Sequence, residues 1–183
     1  EFGGQAIAEA LFGDYNPGGR LAVTFPKSVG QIPFAFPFKP GSDESSETSV
    51  YGALYPFGHG LSYTTFQYSD LVISPSKQGV QGNISISCTI KNIGQREGDE
   101  VVQLYLRDEV SSVTTYTQVL RGFERITLKP EASHTVHFEL TPQELGIWDK
   151  QMNFTVEPGM FKVMIGSSSK DIRLKGEFEI ADR

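Results

Sequence analysis

Breaking a glycosidic, peptide or phosphate bond needs particular side chains in particular arrangements. The acids, histidines, cysteine and serines are therefore weighed before anything else. Adjacent carboxylates occur at Asp43-Glu44, Asp99-Glu100 and Asp108-Glu109. Glycoside hydrolysis uses two carboxyl groups facing each other at about 5 to 9.5 Å across a sugar ring. Neighbours on an extended chain point to opposite faces, so these pairs read as solvated turn residues. His134 and His137 stand three apart near an expected strand, again on opposite faces rather than around one metal. His59 lies between two glycines, where a structural or interface role is expected. Cys88 alternates inward among isoleucines and reads as a small buried hydrophobe with an inert thiol. With one cysteine in the chain there is no internal disulfide framework and no multi-cysteine metal site. Ser167-Ser168-Ser169 has no base beside it and reads as a hairpin turn. Gly58-x-Gly60 lacks the strand–loop–helix context of a phosphate cradle. Asn83-Ile84-Ser85 and Asn153-Phe154-Thr155 match the glycosylation sequon, which has meaning only in a host that glycosylates. Spacing alone therefore assigns no catalytic, cofactor-binding or metal-binding residue.

Composition narrows the classes further. Among 183 residues, 22 Asp and Glu face 16 Lys and Arg, a net charge of −6. That balance lacks the basic face a nucleic-acid binder needs. No apolar run approaches the roughly 20 residues of a membrane-spanning helix. The length is enough to bury a core.

The elements that would position these side chains change character along the chain. Residues 4–12 read as a short helix, with Ala6, Ile7, Ala10 and Leu11 at helical spacing and Gly13 as its stop. Asn16-Pro17-Gly18-Gly19 supplies a turn, and Leu21, Val23 and Phe25 alternate as a short strand before Pro26. An isolated helix of this length is marginal in water, so its apolar face calls for a partner. Two readings stand at this point: the end of an α/β layer whose body lies upstream, or a small cap on the domain that follows. Residues 26–60 carry five of the ten prolines (Pro26, Pro33, Pro37, Pro40, Pro56) and read as an extended linker without regular structure. Within it, Gly41 to Ser49 is polar and acidic, an expected mobile loop tip. The aromatics on either side (Phe34, Phe36, Phe38, Tyr51, Tyr55, Phe57) suggest that the linker is pinned to a surface.

From about residue 66 the period becomes two. Ile84, Ile86, Cys88 and Ile90 share a face. Val102, Leu104 and Leu106 alternate with Gln103 and Tyr105; Val136, Phe138 and Leu140 with His137 and Glu139. Phe161, Val163 and Ile165 repeat the pattern, as do Ile172, Leu174, Phe178 and Ile180. With Phe66–Ile73 and Leu120–Leu128, about seven half-buried strands emerge and no helix intervenes. Turn signals fall at Asn92-Ile93-Gly94, Glu97-Gly98-Asp99, Lys129-Pro130 and Glu157-Pro158-Gly159. The expected fold is mainly β: an immunoglobulin- or fibronectin-III-like antiparallel β-sandwich.

The segments that resist spacing arguments carry a resemblance. Gly3-Gly4-Gln5-Ala6-Ile7-Ala8-Glu9-Ala10-Leu11-Phe12-Gly13-Asp14-Tyr15-Asn16-Pro17-Gly18-Gly19-Arg20-Leu21 resembles the closing segment of the α/β sandwich domain of family 3 glycoside hydrolases. Leu54-Tyr55-Pro56-Phe57-Gly58-His59-Gly60-Leu61-Ser62-Tyr63-Thr64-Thr65-Phe66 is similar to the signature leading into that family's third domain. The run from Ile90 to Asp108 resembles the core of its fibronectin-III-like domain. Leu120-Arg121-Gly122-Phe123-Glu124-Arg125-Ile126 and Val156-Glu157-Pro158-Gly159-Met160-Phe161 match it further on.

The resemblance is collinear over essentially the whole chain. It implies three parts: residues 1–25 as the C-terminal remnant of an α/β domain, 26–62 as the Pro/Gly-rich linker, and 63–183 as the fibronectin-III-like sandwich. It also implies a parent that is a retaining exo-β-glycosidase, β-glucosidase first and β-xylosidase next. The nucleophilic Asp of such enzymes lies in an N-terminal barrel, and the acid/base carboxylate typically in the α/β domain upstream of the segment matched here. Neither motif is present, and Glu1, Glu9 and Asp14 are not assigned those roles. The partners implied are the upstream barrel and α/β domains, the parent's saccharide substrate and, as in some relatives, a second copy. A periplasmic or secreted location is expected for the parent, with the cytoplasm as the alternative. The loop at residues 39–53 is longer in many relatives, some with aromatics near the sugar; here Tyr51 is its only aromatic. The competing expectation is a carbohydrate- or protein-binding module. Its outward aromatics would be led by Tyr105, with Trp148 equally suited to anchoring a core or an edge.

Overall fold

The computed structural model describes residues 2–32, 34–42 and 52–182. The expected first helix forms as α1 (Gly3–Phe12). Gly13 ends it at φ 83°, the left-handed conformation that a glycine enters without steric cost. No residue of α1 is buried. The expected strand over Leu21–Phe25 shrinks to β1 (Phe25–Pro26), paired antiparallel with β2 (Ala53–Tyr55). The reason is local. The Leu21 N–H donates to the His59 carbonyl and its carbonyl accepts from the Gly58 N–H, both at 2.8 Å, so its partners lie in a turn and no ladder propagates. The linker also holds more regular structure than its prolines suggest, namely β2 and one 3-10 turn over Val29–Gln31.

The alternating segments form β3 (Phe66–Ser74), β4 (Lys77–Gly79), β5 (Ile84–Asn92), β6 (Gly98–Asp108), β7 (Val119–Leu128) and β8 (Ser133–Leu140). A one-turn helix, α2 (Pro142–Leu145), and a ribbon of β9 (Ile147–Trp148) with β10 (Phe154–Thr155) precede β11 (Gly159–Gly166) and β12 (Ile172–Ala181). One sheet has the order β4-β12-β11-β6-β7 and the other β3-β5-β8. All pairings within them are antiparallel except that of β4 with β12. This is the expected sandwich. Ile84, Ile86, Cys88 and Ile90 pack with Val102, Leu104, Val136, Val163, Ile165 and Phe178 in one buried cluster.

One strand departs from the half-buried pattern. In β6, Gln103 and Tyr105 are buried as fully as Val102 and Leu104. Tyr105, expected to be the leading exposed aromatic, has no accessible surface. An antiparallel sheet commonly leaves one face to water. Here the linker lies across it.

Candidate functional site: the linker face and the loop end of the sandwich

The cover over β6 is aromatic. The Phe36 ring stacks on Phe57 at 4.5 Å and meets Tyr105 edge-on at 5.7 Å, within the range where such pairs attract. The Tyr105 hydroxyl donates to the Gln103 side-chain carbonyl. The Gln103 amide in turn donates to the Gly58 carbonyl at 3.2 Å and to the Ser167 carbonyl at 2.6 Å. Gly58 has φ 80°, and a Cβ there would collide with the Gln103 carboxamide. Gln118 donates to the Ser169 carbonyl at 2.7 Å, while the Ser169 N–H donates to the Phe57 carbonyl at 3.0 Å. The serine triplet is thus a turn before β12, as expected, and it also receives the linker.

Where β6 begins, the segment before the linker is bolted to the sandwich. Arg20 donates to Glu100 at 2.6 Å, with 9% and 5% of the two side chains exposed. Gly60 leaves room for this guanidinium, since a Cβ there would strike both Arg20 and the Gly19 carbonyl. Burial pushes the Glu100 carboxyl up; Arg20 and the Val101 N–H pull against it. Asn16 donates to the Glu97 carbonyl at 3.0 Å and accepts from the Tyr63 N–H at 2.8 Å. Tyr63 donates to the Ala10 carbonyl of α1 at 2.7 Å. The helix so held exposes Ile7, Leu11 and Phe12 at 62%, 72% and 85%.

The residues weighed for chemistry are dispersed. Asp99 and Glu100 serve different partners. Asp99 accepts from Arg125 Nε at 2.9 Å and from Thr127 at 2.7 Å; burial raises its pKa, but these bonds outweigh it and hold the carboxyl low. Asp108 accepts from the Val110 N–H at 3.2 Å and is pushed up by burial. Glu109 is held low by its bond from Lys162 at 2.7 Å and also pairs with Arg107 at 3.0 Å. Asp43-Glu44, the loop tip beyond Ser42, and Tyr51 lie outside the described residues. His59 stacks on Tyr55 at 5.1 Å. His134 approaches Glu124 at 3.5 Å, and both His134 and His137 are exposed. Among the described residues no group of three or more His, Cys, Asp or Glu could hold a metal ion. Cys88 is buried, and burial pushes its thiol up to about 11.

Trp148 anchors neither a core nor a sheet edge. It is 59% exposed on the β9–β10 ribbon, beside a pocket that also exposes Tyr116. Spacing carries no signal for this pocket, because its walls come from β6, β7, β9, β11, α2 and the 109–118 loop, which are far apart in sequence. Nor does it signal the Arg20–Glu100 pair, whose members lie 80 residues apart. Every described carboxylate in the adjacent pairs is taken up by a cation, a hydroxyl or a backbone N–H. That arrangement positions segments. It does not present two free acids to a substrate.

Comparison with known proteins adds the context. Residues 1–63 match the glycosyl hydrolase family 3 C-terminal domain, and residues 100–169 match a fibronectin type III-like domain. A periplasmic beta-glucosidase of Salmonella typhimurium is 44% identical over 97% of this chain and 25% of its own length. A beta-xylosidase of Formosa agariphila is 43% identical over 94% of this chain and 24% of its own. Among solved structures, a b-glucosidase from Erythrobacter marinus superposes with TM-score 0.90 at 39% identity, covering 98% of this chain and 24% of that one. A beta-glucosidase from Listeria innocua, crystallised with glucose, gives 0.86 at 32% identity, covering 97% and 26%. The chain thus spans about a quarter of the length of these relatives.

Proposed function

From its place in glycosyl hydrolase family 3, to whose C-terminal region the chain belongs, we propose that it is the C-terminal structural part of a retaining exo-β-glycosidase. The parent hydrolyses terminal β-D-glucosyl residues, and its nucleophile and acid/base lie outside this chain. The observation that carries the reading is a collinear relationship to beta-glucosidases over nearly the whole chain. Residues 1–25 end an α/β layer, 26–62 form the linker, and 63–183 form the sandwich. The exposed apolar side of α1, fixed to the sandwich through Tyr63 and Asn16, supports this division, because such a face is stable only against another layer. A β-xyloside is the alternative substrate, favoured by the beta-xylosidase among the relatives. The upstream barrel and α/β domains are the principal partners. Self-association through the sandwich is a further reading that sedimentation of the parent checks.

The test compares the 183-residue chain with the parent protein on aryl β-glucoside and aryl β-xyloside. The parent turns over the glucoside faster, with retention of configuration, and the chain alone turns over neither. Robust hydrolysis by the chain alone, or an inactive parent, overturns the proposal.

A further inference from the structure

A pocket at the end of the sandwich, where β6 runs into β7, rests on the core residues Leu106, Leu145 and Phe161 and adds polar and aromatic groups that the core does not use. Its volume is about 290 Å³. Its walls come from the loop at residues 109–118, from α2 and from β9, with Lys39 at its rim. Loops clustered at a sandwich end are where rigid β scaffolds commonly carry binding residues.

Three observations give this pocket a chemical character. The first is aromatic: Trp148 is 59% and Tyr116 43% exposed, and both line the pocket. Trp148 is held in place by Phe154, edge-on at 5.5 Å. The ribbon behind it is locked by Asp149, which accepts the Gln151 and Asn153 N–H groups at 2.8 Å each. The second is Arg121. Its Nε is buried without a hydrogen-bond partner, and among the described residues its guanidinium makes no ion pair. Glu144 attracts it through space without a direct ion pair, since that carboxylate accepts the Thr141 N–H at 2.8 Å and the Thr141 hydroxyl in a capping box. The third is Asp108, which also lines the pocket and accepts from the Val110 N–H, with the Ser111 hydroxyl as a further donor.

These groups select among ligands. Arg121 brings donors to the pocket wall, and a ligand that strips water from them must bring acceptors in return. An apolar ligand brings none. A phosphate or polyanion would meet Asp108 and Glu144 as well as Lys39 and Arg121, so the charges cancel and favour a neutral ligand. Sugar hydroxyls donate and accept at once, which suits a pocket lined by both a guanidinium and a carboxylate. The C–H face of a pyranose is apolar and packs on aromatic rings. The volume lies just under the roughly 300–1,000 Å³ of small-molecule sites, which suits one ring better than a chain.

We propose that this pocket binds a single neutral pyranose residue, with Trp148 and Tyr116 as walls and Arg121 and Asp108 bonding its hydroxyls. The proposal goes beyond the hydrolase reading and does not rest on it, because binding is measured without turnover.

Trp148 is the only tryptophan of the chain, so its emission reports directly on the pocket. The chain is titrated with glucose, xylose, cellobiose and xylobiose, with mannitol as an acyclic polyol lacking a ring face. The expected result is a saturable emission change for at least one ring sugar, with Kd on the order of millimolar, and none for mannitol. Arg121→Gln weakens it by about tenfold or more; Lys129→Gln, remote from the pocket, leaves it unchanged. Tyr116→Ala removes an exposed side chain and gives a second reading should Arg121→Gln not fold. Saturation-transfer NMR on the same mixtures shows transfer from the aromatic protons to the sugar. The proposal is overturned if no ring sugar saturates the signal up to about 100 mM. It is equally overturned if mannitol acts like the sugars, or if folded Arg121→Gln and Tyr116→Ala bind as the unsubstituted chain does.

Discussion

Replacing Arg20 by Met tests whether the segment before the linker is held by its buried ion pair. The exchange keeps an apolar stem and removes the cation, leaving the Glu100 side chain 5% exposed with the Val101 N–H as its remaining donor. Removing one member of a buried pair costs about 3–5 kcal/mol. That is a large share of the roughly 5–15 kcal/mol that holds a domain folded. The loss must depend on pH, and its sign follows from Glu100. Burial already raises this carboxyl, and Arg20 is the main opposing influence, so the substitution raises it further. A carboxyl whose folded pKa exceeds its unfolded value contributes stability below the unfolded value, and loses it as pH rises through the folded one. Because Glu100 is already raised in the unsubstituted chain, the variant's extra loss develops only above that folded value and is complete once the pH passes the variant's still higher one. Urea unfolding followed by circular dichroism should give a midpoint roughly 1–3 M lower at pH 8, given slopes of about 1–3 kcal/mol/M. At pH 4.5 most of that difference should vanish. Arg20→Met with Glu100→Leu should recover much of the stability, because an apolar pair of similar volume carries no desolvation cost. A midpoint shift below about 0.3 M at pH 8, or the same shift at both pH values, refutes the reasoning.

Three further outcomes are expected. Cys88, buried and with its thiol pushed up to about 11, should resist an aromatic disulfide reagent in the native chain and react at the rate of unfolding; prompt reaction would show that β5 is open to solvent. Bonds from Arg173 at 2.5 and 2.6 Å are the main cause that holds Asp171 low. Its contribution is therefore present above the unfolded value of about 3.9 and lost as pH falls below it. Asp171→Asn should flatten the fall of Tm between pH 4 and 2 and leave the slope above pH 5 unchanged. Gly58→Ala places a side chain at φ 80° against Gln103, costing about 1–2 kcal/mol from the backbone alone; protease cleavage within residues 52–62 should rise, and an unchanged digestion pattern would count against the linker's attachment at Gln103.

The sandwich was legible because period-two alternation reports directly on which face of a strand is apolar. Ile84, Ile86, Cys88 and Ile90 are buried as that pattern requires. The helix at the start of the chain and its Gly13 stop were legible for the same reason: their signals are local. Tyr105 was misread because alternation distinguishes two faces without saying what covers either. Its cover comes from Phe36, itself stacked on Phe57, and the link through Gln103 and Gly58 spans 45 residues. The Leu21–Phe25 strand failed because alternation does not supply a partner strand, and His59 and Gly58 offer Leu21 only a turn. The pocket beside Trp148 was invisible for a further reason. Arg121 matters there because its Nε lacks a partner, and an unmade bond leaves no mark on the spacing of residues.

The covered outer face of β6 also bears on where one folding unit stops and the next begins. Composition draws a boundary near residue 62, where prolines and glycines give way to alternation. The packing crosses that line repeatedly. Phe36, backed by Phe57, covers Tyr105, Gly58 accepts from Gln103, and Arg20 neutralises Glu100. A sandwich lacking residues before 63 would expose Tyr105, forfeiting about 1.5–3 kcal/mol for a side chain of that size. It would also leave the Gln103 amide one acceptor short, and Glu100 without its cation. These losses are together comparable with the stability of a small domain. The linker therefore belongs energetically to the sandwich it covers. Among the described residues, the side of α1 carrying Ile7 and Leu11 is an apolar surface that this arrangement leaves exposed, and a neighbouring layer would gain by docking on it.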